Sequence, residues 1–182
     1  MIEIGCFREI KDCELEMMLA WRNQPSVREN MYTQHEISWD EHIAWWGRLK
    51  QQTMQIYLMY ECDGQPQGVV YFTSIDKSNS NCAWGFYSSP DAPRGTGTKM
   101  EFLALEYAFN DLGVYKLWCE VLAYNAAVIR LHGKFGFLQE GVFRQQFKRG
   151  DEYFDIVRLG MLSSEWASQR DRMKQRIIAL NR

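Results

Sequence analysis

The stretch that most limits what this chain can fold into runs from Asp91 to Gly113, DAPRGTGTKMEFLALEYAFNDLG, where a glycine-bearing turn leads into a strongly apolar helix. Gly95 and Gly97 allow a tight bend with no Cβ in the way. The first helical turn behind them offers amides without intrahelical acceptors and the positive end of the helix dipole. Arg94, Gly95, Thr96, Gly97, Thr98 and Lys99 therefore form a candidate phosphate cradle; an ordinary tight turn would use the same residues, and both readings stand. From Phe102 to Leu112 the residues are nearly all apolar. Lys99, Glu106 and Asn110 are the main polar breaks along one stripe, so the helix belongs against a sheet, and Gly113 ends it as the residue after the cap. Two other phosphate loops do not fit. A P-loop needs four residues between its glycine and Gly-Lys-Ser/Thr, and a dinucleotide-binding turn needs a third glycine where Met100 stands.

With 182 residues, 46% hydrophobic and 14% aromatic, the chain suits a single domain over residues 1–182 with a sizeable core. A net charge of −2 gives no general attraction to nucleic acid or an anionic membrane, so phosphate binding would be local and the partner a small molecule. Cys6, Cys13, Cys62, Cys82 and Cys119 are odd in number, widely separated and without a C-x-x-C pair. They read as reduced core thiols rather than disulfides or zinc ligands, which points to the cytoplasm and to no metal. The N-terminus, carrying Glu3, lacks the succession of an export signal, and no apolar run approaches a membrane-spanning length. Neither cleaved export nor membrane insertion is expected.

A first strand is expected over Ile2 to Ile10, then a helix capped by Asp12 with Leu15, Met18, Leu19 and Arg22 at helical spacing, ending near Pro25. Ser38, with Glu41 three residues on, reads as a capping box for a second helix to about Lys50. Gln55 to Glu61 and Gly68 to Thr73 flank DGQPQ as a hairpin. Cys82 to Tyr87 is a strand containing Gly85, which marks either a bulge that frees a nearby N–H or a place where packing needs room. Beyond the cradle helix come a strand over Lys116 to Leu122, a helix over Asn125 to Phe135, strands over Phe137 to Phe147 and Tyr153 to Leu162, and an amphipathic helix from Ser163 to Leu180. A strand, helix and parallel strand in succession place the Cys82 and Lys116 strands side by side. Their carboxyl ends then open a crevice beside the cradle.

The cradle, the strand ending at Ala123-Tyr124-Asn125 and the run NAAVIRLHGKFGF together resemble the GNAT superfamily of acetyl-CoA-dependent N-acetyltransferases. The family's pyrophosphate loop R/Q-x-x-G-x-G/A is matched by Arg94 and Gly97 but departs at Lys99. More narrowly, WRNQPSVREN, MYTQHEIS, DEHIAWW, GVVYFTSID, AWGFY, PRGTGTKM, LHGKFGF and EGVFRQ look like the PseH-type branch. The resemblance implies an α+β (α/β) fold: a central mixed, mostly antiparallel, twisted sheet of about seven strands flanked by helices. It implies acetyl-CoA as co-substrate and, as acceptor, the 4-amine of UDP-4-amino-4,6-dideoxy-N-acetyl-β-L-altrosamine on the route to pseudaminic acid and flagellin glycosylation. A homodimer is compatible with it. N-terminal acetylation of ribosomal proteins is the runner-up, and a non-catalytic acyl-CoA-binding module the reading from a different class.

Amide formation needs a neutral amine against a thioester carbonyl, donors for the oxygen that gains charge, and a proton for the departing thiolate. An N–H of Phe86 or Tyr87 could meet that oxygen. Where the family places a tyrosine to protonate sulfur, Leu131 is followed here by His132, which is either that donor or a core histidine sharing helical spacing with Val128 and Phe135. Tyr124 is a second candidate donor. Asn125 reads as a helix cap that can also hold the pantetheine arm, and Lys134 as a cofactor contact. Glu120 stands in the apolar strand LWCEVL, either taking a proton from the acceptor or pairing with a nearby cation. Met31, Tyr32, Trp45, Trp46 and Tyr87 would form an apolar, stacking acceptor wall, with Arg22, His35 and His42 for polar or phosphate groups; about half of this set is expected to be core.

Overall fold

The computed structural model describes residues 4–180. Seven strands form one sheet: β1 (Cys6–Glu9), β2 (Ile56–Cys62), β3 (Gln65–Asp76), β4 (Asn81–Ser88), β5 (Lys116–Leu122), β6 (Leu138–Arg149) and β7 (Glu152–Leu162), in the spatial order β1-β2-β3-β4-β5-β7-β6. Every pairing is antiparallel except β4 with β5. The helices are α1 (Leu15–Asn23), α2 (Pro25–Arg28), α3 (Trp39–Leu49), α4 (Thr96–Glu106), α5 (Ala126–Phe135) and α6 (Ser163–Leu180). This is the mixed, mostly antiparallel sheet that the sequence implied. None of the described helices is long and apolar enough to cross a membrane.

Strand alternation sends successive residues to opposite faces, so the sheet has two cores. Leu58, Tyr60, Val70, Phe72, Leu117 and Leu159 point to the face covered by α4, α5 and α6, with Met100, Leu105, Phe135 and Trp166. Met59, Val69 and Tyr87 point the other way, to Leu15, Met18 and Trp21 of α1 and, at the margin, Trp45 of α3. Asp63 and Gly64, both at positive φ (52° and 70°), make the two-residue β2–β3 hairpin turn, whose twist suits the flanking strands. The helical run from Thr96 relaxes into a π-turn over Tyr107–Asp111. It closes with Gly113 at φ 64° and the Val114 N–H donating to the Ala108 carbonyl, as expected of that glycine.

Several local expectations change. The first strand begins at Cys6; Ile2 and Glu3 lie outside the described residues. Asp12 does not cap α1, because its carboxylate accepts from Trp46 Nε1 (2.8 Å) and Lys50 Nζ (2.7 Å), fastening α3 to the chain before α1. Ser38 does cap α3, its Oγ accepting from the Glu41 N–H, but the Glu41 carboxylate turns to His35 instead of completing the box. Cys62, Cys82 and Cys119 are buried, whereas Cys6 and Cys13 are exposed, the strand β1 being short and at the edge. Gly85 is not in a bulge. Its pairing with Tyr71 continues an unbroken register, and the β3–β4 irregularity lies between Thr73 and Asp76.

What Gly85 provides is room: a Cβ there would come within 2.6 Å of Tyr71 Cε2, on a ring stacked against Tyr57 at 5.1 Å. Gly85→Ala must push that ring aside. We expect it to lower stability by about 1–3 kcal/mol in urea unfolding, with α4 and the cradle unaffected. An unchanged unfolding midpoint would show that the Tyr71 ring yields freely.

Candidate active site

The two parallel strands pair only at Asn81↔Lys116, Cys82↔Leu117 and Ala83↔Trp118, and then part. β4 stays on β3 as far as Ser88, and β5 stays on β7 as far as Leu122, so each strand follows its outer neighbour. Beyond Ala83, alternate amides and carbonyls of β4 face the gap with no partner on β5. The gap is a crevice of about 330 Å³ lined by Trp84 to Ser88 of β4, Cys119 to Val121 of β5, Asn125, Val128 and His132 of the following turn and helix, and Met31 from the chain after α2. Phe86 and Tyr87 thus line it as expected. Trp84 adds a buried indole N–H with no hydrogen-bond partner.

Because Cys119 and Glu120 are consecutive on β5, they face opposite sides of the sheet at the same crevice. On the α4–α5 side, His132 is buried, with Nδ1 2.9 Å from Glu101 Oε1 and rings of Trp84 and Phe137 at 5.2 Å. On the α1–α3 side, Glu120 accepts from Tyr32 Oη (2.7 Å) and from Arg158 Nη1 (2.8 Å); Arg158 in turn lies flat on Trp118 at 3.3 Å. Glu120 is therefore paired with a cation, as one of its two sequence readings had it, and it also lines the crevice. Burial and the Glu120 bond push the Tyr32 phenol up, which keeps it the donor in that bond.

A second cavity, about 360 Å³, meets the crevice at Met31, Tyr71 and Tyr87. Arg22, Met31, Tyr32, His42 and Trp45 all line it, together with Arg48, Tyr57 and Tyr71, which sequence reading did not single out. Arg22 donates to the Thr33 carbonyl (3.1 Å), its Nη1 is buried without a partner, and no carboxylate pairs with it among the described residues. Burial lowers the Arg22 pKa. Burial also lowers that of His42, whose ring stacks on Trp45 at 5.2 Å with Nε2 unpartnered. His35 and Trp46 do not join this cavity. His35 is exposed and paired with Glu41 at 3.0 Å, and the Trp46 indole is held by Asp12. Tyr124 lies outside the crevice lining: its hydroxyl donates to the Glu29 carbonyl (2.6 Å), its ring carries Arg149 at 4.9 Å, and it holds the segment after α2 in place.

At the cradle, Gly95 is the cap of α4 at φ 97°, a conformation natural only to glycine. Thr98 and Lys99 N–H groups return to the Gly95 carbonyl and Thr96 N–H to Pro93, leaving the Gly95 and Gly97 N–H groups without backbone acceptors. Arg94 and Gly95 are exposed; the Thr96 side chain is turned inward, donating to the Pro93 carbonyl at 2.8 Å. Lys99 departs from the loop. Its Nζ reaches Cys62 Sγ at 3.6 Å, under the end of β2, so it neither crowds the turn nor adds its charge there. Thr98 and Lys134 share a separate cleft with Arg176 of α6. Asn125 caps α5, its Oδ1 accepting from the Val128 N–H at 3.4 Å, and lines the crevice.

The geometry is a sheet opened at one parallel pair, with a glycine-capped helix at the mouth of the opening. A sequence profile of the acetyltransferase (GNAT) domain matches residues 6–138, from β1 to the start of β6. The chain belongs to the GNAT acetyltransferase family. The enzyme is 30% identical over 132 residues to the acetyltransferase PseH of Campylobacter jejuni, an alignment covering 72% of this chain and 82% of that one. It is 27% identical over 110 residues to the spermidine N(1)-acetyltransferase of Escherichia coli, covering 60% and 59%. Its fold is that of the spermidine N-acetyltransferase of Vibrio cholerae in complex with CoA and spermine, with a TM-score of 0.83 at 19% identity over 89% of this chain and 97% of that one.

Three residues at or behind the crevice were passed over in reading the sequence. Arg158 lies on β7, whose place beside β5 no local pattern reveals. Trp84 was not singled out within its strand. Glu101 carried a signal: an acid between Met100 and Phe102 on the side of the helix meant for the sheet.

Gly95→Val forces a branched residue to positive φ, costing about 1 kcal/mol or more in stability, and tilts the free amides of the turn. CoA affinity by calorimetry should fall about tenfold or more, equivalent to about 1.4 kcal/mol; equal affinity in the folded variant would remove the cradle from the site. Gly97→Val should act differently, because a Cβ there points at Phe86 and Leu131, 3.5 Å from each, and narrows the crevice wall instead of the turn.

Proposed function

We propose that this enzyme transfers the acetyl group of acetyl-CoA directly to the 4-amine of a UDP-4-amino-4,6-dideoxy-N-acetyl-altrosamine, a cytoplasmic step towards pseudaminic acid and flagellin glycosylation. The observation that carries the choice of acceptor is Arg22: a half-buried guanidinium, its Nη1 buried without a partner and unpaired by any described carboxylate, lining an aromatic cavity that opens onto the crevice. A buried cation wants an anion or carbonyl oxygen. A diphosphate or uracil oxygen supplies that, while the rings of Trp45, Tyr57 and Tyr71 offer stacking surface for a base or a deoxysugar methyl. A polyamine would bring further positive charge to Arg22 and Arg48 against Glu41 alone. The likeness to PseH supports the same reading.

In this reading the donor enters from the α4–α5 side, its pyrophosphate at the free amides of Gly95 and Gly97 with Arg94 beside them, and Lys134 with Thr98 further out. Asn125 and the unpartnered Trp84 indole suit the amide groups of the pantetheine arm. The acceptor enters from the α1–α3 side. Glu120, held by Tyr32 and Arg158, takes the proton that makes the amine nucleophilic. Unpaired β4 amides beyond Ala83, at Phe86 or Tyr87, meet the carbonyl oxygen as charge builds on it. His132 protonates the departing sulfur.

Thiol release should be seen with the UDP-amino-sugar and be at least about a hundredfold slower with spermidine or an N-terminal peptide, judged by kcat/KM. Preference for spermidine or the peptide would overturn the acceptor assignment, and no thiol release with any amine would favour a binding module. Arg22→Gln should raise KM for the nucleotide sugar with little change in kcat. Glu120→Gln should lower kcat about 10²-fold at unchanged CoA affinity, and full activity in that variant would make the Glu120 ion pair purely structural.

A further inference from the structure

Glu101 has no place in the reaction described so far, yet its position is unusual for a carboxylate. It lies on α4 among Met100, Ala104 and Leu105, wholly out of solvent, with Oε1 2.9 Å from His132 Nδ1 and Oε2 without a partner. His132 lies on α5, 2% exposed, yet its ring lines the crevice. Trp84 and Phe86 of β4 and Phe137 present only rings to it, at 5.2, 6.3 and 5.2 Å. The titratable neighbours are Glu101 from α4 and the thiol of Cys119 from β5, which also lines the crevice.

A carboxylate buried this completely, with one hydrogen bond and no solvent, needs a proton or a cation beside it. Two arrangements meet that need, a carboxylate with an imidazolium or a carboxylic acid with a neutral imidazole, and they differ only in which side of one hydrogen bond holds the shared proton. In both, Nδ1 is turned to Glu101 and Nε2 carries a hydrogen. Cys119 lines the same crevice as His132, so sulfur is already among the atoms of that wall. Burial alone would lower the His132 pKa, but the Glu101 charge, with Cys119 on the other side, outweighs it and raises the ring to about 10. Burial pushes the Glu101 carboxyl up, with His132 opposing.

We propose that Glu101 is a positioning residue for acetyl transfer: by engaging Nδ1 it fixes His132 with Nε2–H directed into the crevice, as the proton source for the sulfur of CoA. As the acceptor nitrogen forms its bond to the carbonyl carbon, the carbon–sulfur bond breaks, its electron pair goes to sulfur, and sulfur takes the Nε2 hydrogen. Whichever arrangement came before, the pair is left as carboxylate and Nδ1–H imidazole. The proton then lost by the new amide nitrogen, or one from solvent, restores it. This rests on the reading of His132 as proton donor, and the experiment separates the two.

The test is single-turnover acetyl transfer against pH for Glu101→Gln, Glu101→Asp and His132→Phe, with ¹⁵N-histidine NMR titration of the parent and Glu101→Gln. Because the donor must hold its proton, the parent rate should persist through neutral pH and fall only as pH rises towards 10, and the His132 Nε2 resonance should stay that of N–H over the same range. Glu101→Gln removes the larger of the two influences that oppose burial at His132. The alkaline limb should move down by at least about one pH unit and the rate at pH 8 fall about tenfold or more, with CoA affinity kept; Glu101→Asp should recover part of both. A parent-like pH profile in Glu101→Gln beside a slow His132→Phe would overturn the role of Glu101 and leave His132 as donor. Parent rates in both variants would overturn the reading of His132 itself. Should Glu101→Gln fail to fold, the parent decides: an Nε2 that loses its hydrogen below pH 8 overturns the proposal.

Discussion

The site depends on a sheet that stops pairing. β4 and β5 hold each other for three residues, after which each is bound by its outer partner, β3 or β7, more firmly than by the other. Sheet twist rotates neighbouring strands progressively, and a parallel pair at the middle of an otherwise antiparallel sheet is where that rotation can be released as a split. The split leaves main-chain groups unpaired at the centre of the protein, an expense that a folded chain accepts only where something else is to meet them. Helices α4 and α5 close one side of the opening and the segment after α2 the other, so the gap becomes a crevice through the sheet.

A crevice through a sheet has two chemically separate mouths. Strand alternation puts Cys119 on the side of α4 and α5 and Glu120 on the side of α1 to α3, one residue apart along β5. The acid–base groups follow suit. The His132–Glu101 pair is buried, and the Tyr32–Glu120–Arg158 group is partly exposed on the other side. Groups in such different surroundings can hold different protonation states at one pH, which the proposed transfer, taking a proton from nitrogen and giving one to sulfur, requires.

Charge is arranged in keeping with this. Arg158 is fixed between Glu120 and the face of Trp118, so it can hold the carboxylate without leaving the strand. Arg22 has no such carboxylate among the described residues, and its Nη1 is buried without a hydrogen-bond partner. Lys99, at the end of the cradle sequence, is drawn to Cys62 beneath the sheet. That leaves the turn to bind through backbone amides and Arg94, which is how a Gly-capped helix end can accommodate an anion without a lysine.

Local chemistry was enough to determine much of the chain. Alternating apolar residues gave the strands, Ser38 and Asn125 capped their helices, Gly113 ended the α4 run, and Gly95 and Gly97 marked the cradle, because each of these depends on neighbours within a few residues. The motifs around Arg94 and His132 also carried the family. What local pattern could not supply was anything set by strand order or by two helices meeting. The sequence runs β5, α5, β6, β7, yet β7 enters between β5 and β6 and brings Arg158 to Glu120 across 38 residues. Glu101 and His132 meet across 31, and Tyr124 is turned away from the crevice by a carbonyl 95 residues earlier in the chain. Gly85 shows the same limit at short range: a bulge and a packing gap use the same residue, and only the ring of Tyr71 lying across it decides between them. A lone charged or aromatic residue in an apolar run announces that it needs a partner, but which partner it finds is fixed by the packing of elements distant in sequence, and that is decided in three dimensions.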